Sequence, residues 1–202
     1  MPQCISGRQD ELDSLSLSSS NIFTIHYNMK LLIDRIASPL GTIILISDGK
    51  SLCSLDFADY EPRMMALLYK RYESLQLENA IDPQGFSSKV RAYLDRDYGS
   101  LDDIPINAGG TDFQQQVWQM LRTISVGSAV SYGQLATKLG KPTAARAVGM
   151  ANSLNPIAIV VPCHRVIGAK AKLTGYAGGL KRKQWLLQHE GVCISPAMRL
   201  IT

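Results

Sequence analysis

The sequence predicts an α+β protein. A small N-terminal antiparallel sheet with helices is followed by a mainly helical half, which holds a helix-turn-helix and a short strand carrying a reactive cysteine. Three observations predict this. Three short apolar runs, parted by turn residues, begin near residue 31. Two capping-box signals with helical periodicity open the second half. An all-apolar run, residues 157–161, ends at Pro162-Cys163-His164-Arg165.

Residues 1–20 hold six serines and little apolar pattern, and residues 1–28 read as a disordered extension with Met29 as an alternative start. The apolar runs are Leu31–Ile36, Thr42–Ser47 and Leu52–Phe57. Pro39-Leu40-Gly41 and Asp48-Gly49-Lys50 separate them, which predicts an antiparallel meander. Helices are expected near Glu61–Glu73 and Ser87–Tyr98. Residues 29–106 thus form an N-terminal domain, Asn107-Ala108-Gly109-Gly110 a linker, and residues 111–202 a C-terminal domain.

In the second half, Thr111 and Gln114 have capping-box spacing, and Phe113, Val117, Met120, Leu121 and Ile124 form a helical core stripe. Ser131 and Gln134 repeat the signal ahead of Leu135, Ala136 and Leu139. Gly140 is placed to close that short helix and Pro142 to sit in the first turn of the next, giving a helix-turn-helix. The second helix carries Ala144, Ala145, Ala147, Val148, Gly149 and Ala151, with Arg146 and Asn152 as its main polar groups. Small side chains let a helix backbone approach a partner closely. Close helix packing explains the alanines equally well, but a single central arginine less well.

The composition, 46% hydrophobic and 19% charged over 202 residues, is that of a globular protein. No run approaches the roughly 20 apolar residues of a membrane span, and the acidic N-terminus does not read as a secretory signal, so a cytoplasmic protein is expected. Net charge is +4, divided unevenly: residues 111–202 hold 11 basic and 2 acidic side chains, and residues 1–110 hold 10 and 15. The basic half calls for a polyanion, most simply nucleic acid. Cys4, Cys53, Cys163 and Cys193 contain no C-x-x-C pair. A zinc site built from Cys4, Cys53 and His26 is disfavoured, and reduced thiols without a metal are expected.

The chemistry centres on Cys163. A buried strand over residues 157–161 would deliver the thiol to its end, and His164 and Arg165 would favour a thiolate. Neighbours in an extended segment point to opposite sides, so Cys163 and His164 are expected to communicate through a water relay. The imidazole then needs an orienting acceptor on its other nitrogen. Glu190 is one of two acidic residues in this half and sits near a helix C-terminus, where the dipole disfavours it. A specific partner would explain its place.

Residues 111–191 resemble the catalytic domain of the O6-alkylguanine-DNA alkyltransferases. The matching segments are Phe113–Trp118, Ser131-Tyr132-Gly133-Gln134-Leu135-Ala136, Ala144-Ala145-Arg146-Ala147-Val148-Gly149, Asn155-Pro156, Val161-Pro162-Cys163-His164-Arg165-Val166 and Gly175-Tyr176-Ala177-Gly178-Gly179. The first half resembles the N-terminal domain of the bacterial stand-alone type more loosely. The resemblance implies direct-reversal repair: Cys163 takes an alkyl group from O6-alkylguanine, or from O4-alkylthymine, once per molecule, after the base is turned out of duplex DNA. It implies that His164 and Glu190 relay the proton, that Asn155 organises the site, and that Tyr132 donates to the departing guanine. Arg146 would fill the vacated stack, with Tyr132, Ala144, Ala145, Ala147, Asn152 and Ser153 at the DNA. Val166, Tyr176, Ala177 and Gly178 would line the pocket, with carbonyls of Cys163 and Val166 facing the guanine. It further implies a monomer without cofactor or metal. A non-enzymatic sensor of alkylated DNA and a cysteine hydrolase are the competing readings. The intact Cys163 argues against the first, and its adjacency to His164 against the second.

Overall fold

The computed structural model describes residues 28–201. The expected disordered extension, with Cys4 and His26, lies outside them apart from residue 28. The first half holds β1 (Met29–Ile36), β2 (Ile43–Ser47), β3 (Leu52–Phe57), α1 (Glu61–Tyr69), β4 (Leu75–Asn79) and α2 (Phe86–Leu94). Strand order is β3-β2-β1-β4. The three expected strands form the antiparallel meander, with Ile33 opposite Ile46 and Leu45 opposite Leu55. The sheet as a whole is mixed, because β4 lies parallel to β1, with Met29 opposite Leu75. The reason is the connection: α1 carries the chain back across the sheet, and a helical crossover delivers a parallel strand. Both helices are also shorter than the sequence pattern implied.

Every residue of β2 and β3 is buried. Ile44, Ile46 and Cys53 face α1, where Met64 and Leu68 meet them. Ile43, Leu45, Leu52, Leu55 and Phe57 face the other way and share one apolar core with the second half, including Val117, Trp118, Leu121, Val148 and Leu186. The hydrophobic free energy of both halves is therefore drawn from common contacts.

The second half consists of α3 (Asp112–Arg122), β5 (Val130–Ser131), α4 (Tyr132–Lys138), α5 (Ala145–Ser153), β6 (Val166–Ile167) and α6 (Leu180–His189). Both capping boxes form. Thr111 Oγ1 accepts from Gln114 N and the Gln114 side chain accepts from Thr111 N, and Ser131 and Gln134 do the same. Each cap contributes about 1 kcal/mol. Gly140 turns the chain out of α4 with φ +70, a conformation that favours glycine. Pro142 lies in the connecting turn, and α5 begins three residues after it, with Ala144 at its N-cap. The α4–α5 pair is the expected helix-turn-helix.

Residues 157–161 do not form a strand. Only Ile157 bridges, to Leu55 at the edge of β3. Asn155 supplies what a ladder would have supplied: its Oδ1 accepts from Ile157 N at 3.0 Å and its Nδ2 donates to Val161 O at 2.8 Å. The chain then curls, and Val161 N donates to Ile157 O. Ile159 takes a left-handed backbone (φ +69), a strained state for a β-branched residue. Cys163 thus stands at the start of a single 3₁₀ turn, Cys163–Arg165, and the short strand β6 follows the cysteine rather than carrying it.

Candidate active site

Cys163 is 4% exposed and His164 is fully buried. Burial pushes the Cys163 thiol above its ordinary pKa, while Asn155, Lys183 and Arg63 act in the opposite direction. The resting sulfur is therefore a thiol, and attack needs a base.

His164 Nε2 lies 2.9 Å from Glu190 Oε1. An ionised carboxylate only accepts, so Nε2 carries the hydrogen and Nδ1 the free lone pair. Burial lowers the His164 pKa despite the opposing pull of Glu190, so the ring is a neutral base at neutral pH. Glu190 caps the C-terminus of α6 and is itself buried. Burial opposes its ionisation, but His164 and Arg165 hold it well below the usual carboxylate range. Arg165 donates Nε to Oε2 at 2.9 Å and Nη2 to Oε1 at 2.8 Å. The Tyr93 hydroxyl, from α2, donates to Oε1 at 2.7 Å. These are the partners that the unfavourable position of Glu190 demanded. The role of Arg165 as its counter-charge and the arrival of Tyr93 from the first half were not read from the sequence.

Lys183 also gave no signal in the sequence. Its ammonium is buried and donates to Val166 O (2.5 Å), Thr174 O (2.8 Å) and Gly175 O (3.3 Å). Burial pulls its pKa down to about 8, and Cys163, when it ionises, works in the opposite direction. The carbonyl of Val166, expected at the guanine, is already engaged by this cation. One Lys in the basic run Lys181-Arg182-Lys183 of an amphipathic helix gives no sequence signal of such a role.

Tyr132 opens α4 half-buried. Burial, then the charge Cys163 takes on when it ionises, raises its pKa, with the Asn152 and Thr174 side chains working the other way. The phenol stays a proton donor at neutral pH. Tyr176 turns its hydroxyl inward, Ala177 is half-buried, and Gly178 is packed so closely that a Cβ there would lie 2.7 Å from the Phe57 ring.

On α5, Arg146 and Ala147 are exposed and Ala144 and Ala145 partly so. Asn152 is a correction to the expected DNA face. It is 4% exposed and directs Nδ2 at Cys163 O, 3.5 Å away, because it lies on the same inward side of the helix as Val148 and Ala151. Ser153 is exposed, but its hydroxyl turns back to Met150 O, and its carbonyl accepts from Arg63 at 2.6 Å. Arg63 also pairs with buried Asp56 at 2.6 Å and donates to Asn155 O, tying α1 and β3 to the end of α5.

Among the described residues, three buried side-chain polar atoms have no hydrogen-bond partner: Asn152 Oδ1, His164 Nδ1 and Tyr176 Oη. Buried polar groups are rarely left unpaired. All three belong to the Cys163 neighbourhood, so the unmet hydrogen-bonding capacity collects at the thiol.

Residues 112–192 match the family described as 6-O-methylguanine DNA methyltransferase, DNA binding domain, and residues 31–108 match its ribonuclease-like domain. The chain belongs to the 6-O-methylguanine DNA methyltransferase family. A methylated-DNA–protein-cysteine methyltransferase of Shigella flexneri is 49% identical over 166 residues, covering 81% of this chain and 97% of the relative. One from Mycobacterium bovis is 44% identical over 169 residues, covering 82% and 92%. The Mycobacterium tuberculosis O6-methylguanine methyltransferase structure superposes with a TM-score of 0.66 at 42% identity, covering 79% of this chain and 92% of that one. A second structure from that organism, in complex with DNA, gives 0.66 at 41% identity, covering 80% and 92%. This methyltransferase is accordingly a DNA-repair enzyme that transfers methyl groups from DNA to a cysteine. No described helix of it is long and apolar enough to cross a membrane, and no cluster of three or more candidate metal ligands occurs among the described residues.

Proposed function

We propose that Cys163 is the acceptor, that each molecule reacts once, and that the enzyme works as a monomer on an O6-alkylguanine turned out of duplex DNA. The observation that carries this reading is the set of unpaired polar atoms around a buried thiol whose neighbouring imidazole is held by Glu190. Sγ attacks the alkyl carbon, the carbon–O6 bond breaks, and a thioether forms. The thiol proton passes through one bridging water to His164 Nδ1, the nitrogen with the free lone pair. Glu190 stabilises the imidazolium, and Arg165 keeps Glu190 ionised. Tyr132 donates a hydrogen bond to the guanine as it loses the alkyl group; the guanine takes up the proton and returns to the duplex as a neutral base still joined to its sugar. The thioether has no route back to a thiol, so the reaction ends with one product per chain. O4-alkylthymine presents the same oxygen–alkyl bond and is a second substrate.

Exposed Arg146, on a helix face of small residues, enters the gap left by the base and offsets part of the few kcal/mol of unstacking. Incubation with an O6-methylguanine duplex should add one methyl group per chain, mapped to Cys163 by peptide mass spectrometry. Cys163→Ser should keep DNA binding and lose transfer. More than one equivalent transferred per chain, or a methyl group on another residue, overturns the reading.

A further inference from the structure

Residues 192–201 fold back on themselves beside the pocket wall. Ser195 N donates to Arg199 O, Met198 N to Ser195 O and Ile201 N to Cys193 O. The hairpin so formed grips the loop of residues 168–175. Leu173 N donates to Met198 O at 2.9 Å, Leu200 N donates to Ala171 O at 3.0 Å, and Lys172 pairs antiparallel with Arg199. Leu173, Leu187 and Val192 are buried beneath the pair, with Ile194, Met198 and Leu200 packed on them. The family match ends at residue 192, so nearly all of this strap lies beyond it.

The gripped loop is under backbone strain. Lys170 and Ala171 are left-handed at φ 58 and 57, and Met198 in the strap at φ 55. Such conformations persist only where the surroundings impose them. The loop's far end reaches the chemistry: the Thr174 and Gly175 carbonyls hold Lys183, and the Thr174 side chain acts on Tyr132. Cys163 is 4% exposed, so a purine reaches it only if a wall gives way. Residues 173–175, the end of the loop next to Tyr132, belong to no helix or strand.

We propose that the strap sets how large an O6 substituent the site accepts, by holding the Leu173–Gly175 wall against Tyr132. This rests on the reading of Cys163 as alkyl acceptor. Methyl transfer needs the smallest displacement and is little affected by the strap, whereas a benzyl group needs the wall to move.

The test uses full-length protein, a variant lacking residues 193–202, and the milder Leu200→Ser. Single-turnover transfer is measured on duplexes carrying O6-methylguanine or O6-benzylguanine, with amide exchange followed at Leu173. The variants should lose protection at Leu173, keep the methyl rate within about twofold, and shift the benzyl-to-methyl ratio upward by about fivefold or more. A ratio within about twofold of the parent's, or an equal fall in both rates, overturns the inference. The parent separates the two claims: a parent that transfers no methyl group to Cys163 overturns the reading of the site itself, while an unchanged ratio beside a working parent overturns the strap alone.

Discussion

Replacing Glu190 by Gln keeps the size of the side chain and removes its charge. In the parent, the carboxylate accepts from Tyr93, from His164 and twice from Arg165. The amide offers one oxygen, and its NH2 must face donors. Arg165, 7% exposed, is left buried without a counter-charge. Breaking such a pair from one side costs about 3–5 kcal/mol. Against a total of about 5–15 kcal/mol this is a large fraction, and it corresponds to a midpoint lower by roughly 6–20 °C. His164 also loses the acceptor that fixes its tautomer, and transfer should slow at least about tenfold, or about 1.4 kcal/mol of barrier. Urea unfolding and single-turnover transfer, the latter well below the mutant's midpoint, read the two effects separately. The double variant Arg165→Met/Glu190→Gln removes the orphaned charge, so it should regain part of the stability and none of the rate. A folded Glu190→Gln protein with the parent's stability and rate would refute the whole account of this cluster.

Four further outcomes are expected. Since His164 titrates below its ordinary 6.5, transfer should hold its rate as pH falls through 6.5 and drop only at lower pH; a midpoint at or above 6.5 contradicts a neutral buried base. The same shift has a stability sign: the unfolded histidine binds its proton first, so stability declines as pH falls from 6.5 toward the folded pKa, and depressed Glu190 adds a second loss below 4.5. Arg63→Met should destabilise by about 3–5 kcal/mol by stranding buried Asp56, with Asp56→Asn restoring part, and an additive double variant would sink that explanation. Arg146→Ala should impair repair of duplex DNA strongly and leave reaction with free O6-benzylguanine within about twofold; equal falls would assign Arg146 to the pocket or fold.

Local signals in the sequence translated directly into structure. The Thr111 and Ser131 capping boxes, the α3 core stripe and the three-strand meander depend on residues a few positions apart, and all formed. Long-range pairing was not legible. Residues 75–79 alternate over too few positions to announce a strand, and only the α1 crossover makes β4 parallel to β1. The apolar run 157–161 looked like a strand because burial and strand formation share one composition. What distinguishes them is Asn155, whose side chain replaces the ladder. At the site, Cys163, His164 and Glu190 were readable from residue type and the awkward position of the acid. Arg165, Tyr93 and Lys183 were not, since each acts through a fold contact rather than a motif. Asn152 was assigned to DNA from its helix, and the helix's inward side claims it instead.

The two tryptophans stand in unlike surroundings. The indole of Trp118 is buried and donates to the Ala151 carbonyl of α5 at 2.9 Å, while Trp185 stacks on the His189 ring with centroids 4.7 Å apart. The protein therefore carries its own optical labels. Emission from Trp118 follows any strain on α5, the helix proposed to meet DNA, and emission from Trp185, stacked on the His189 ring, follows the packing at the end of α6. Events at α5 and at the end of α6 are thus separable by spectrum in unmodified material, with Trp185→Phe isolating the first signal.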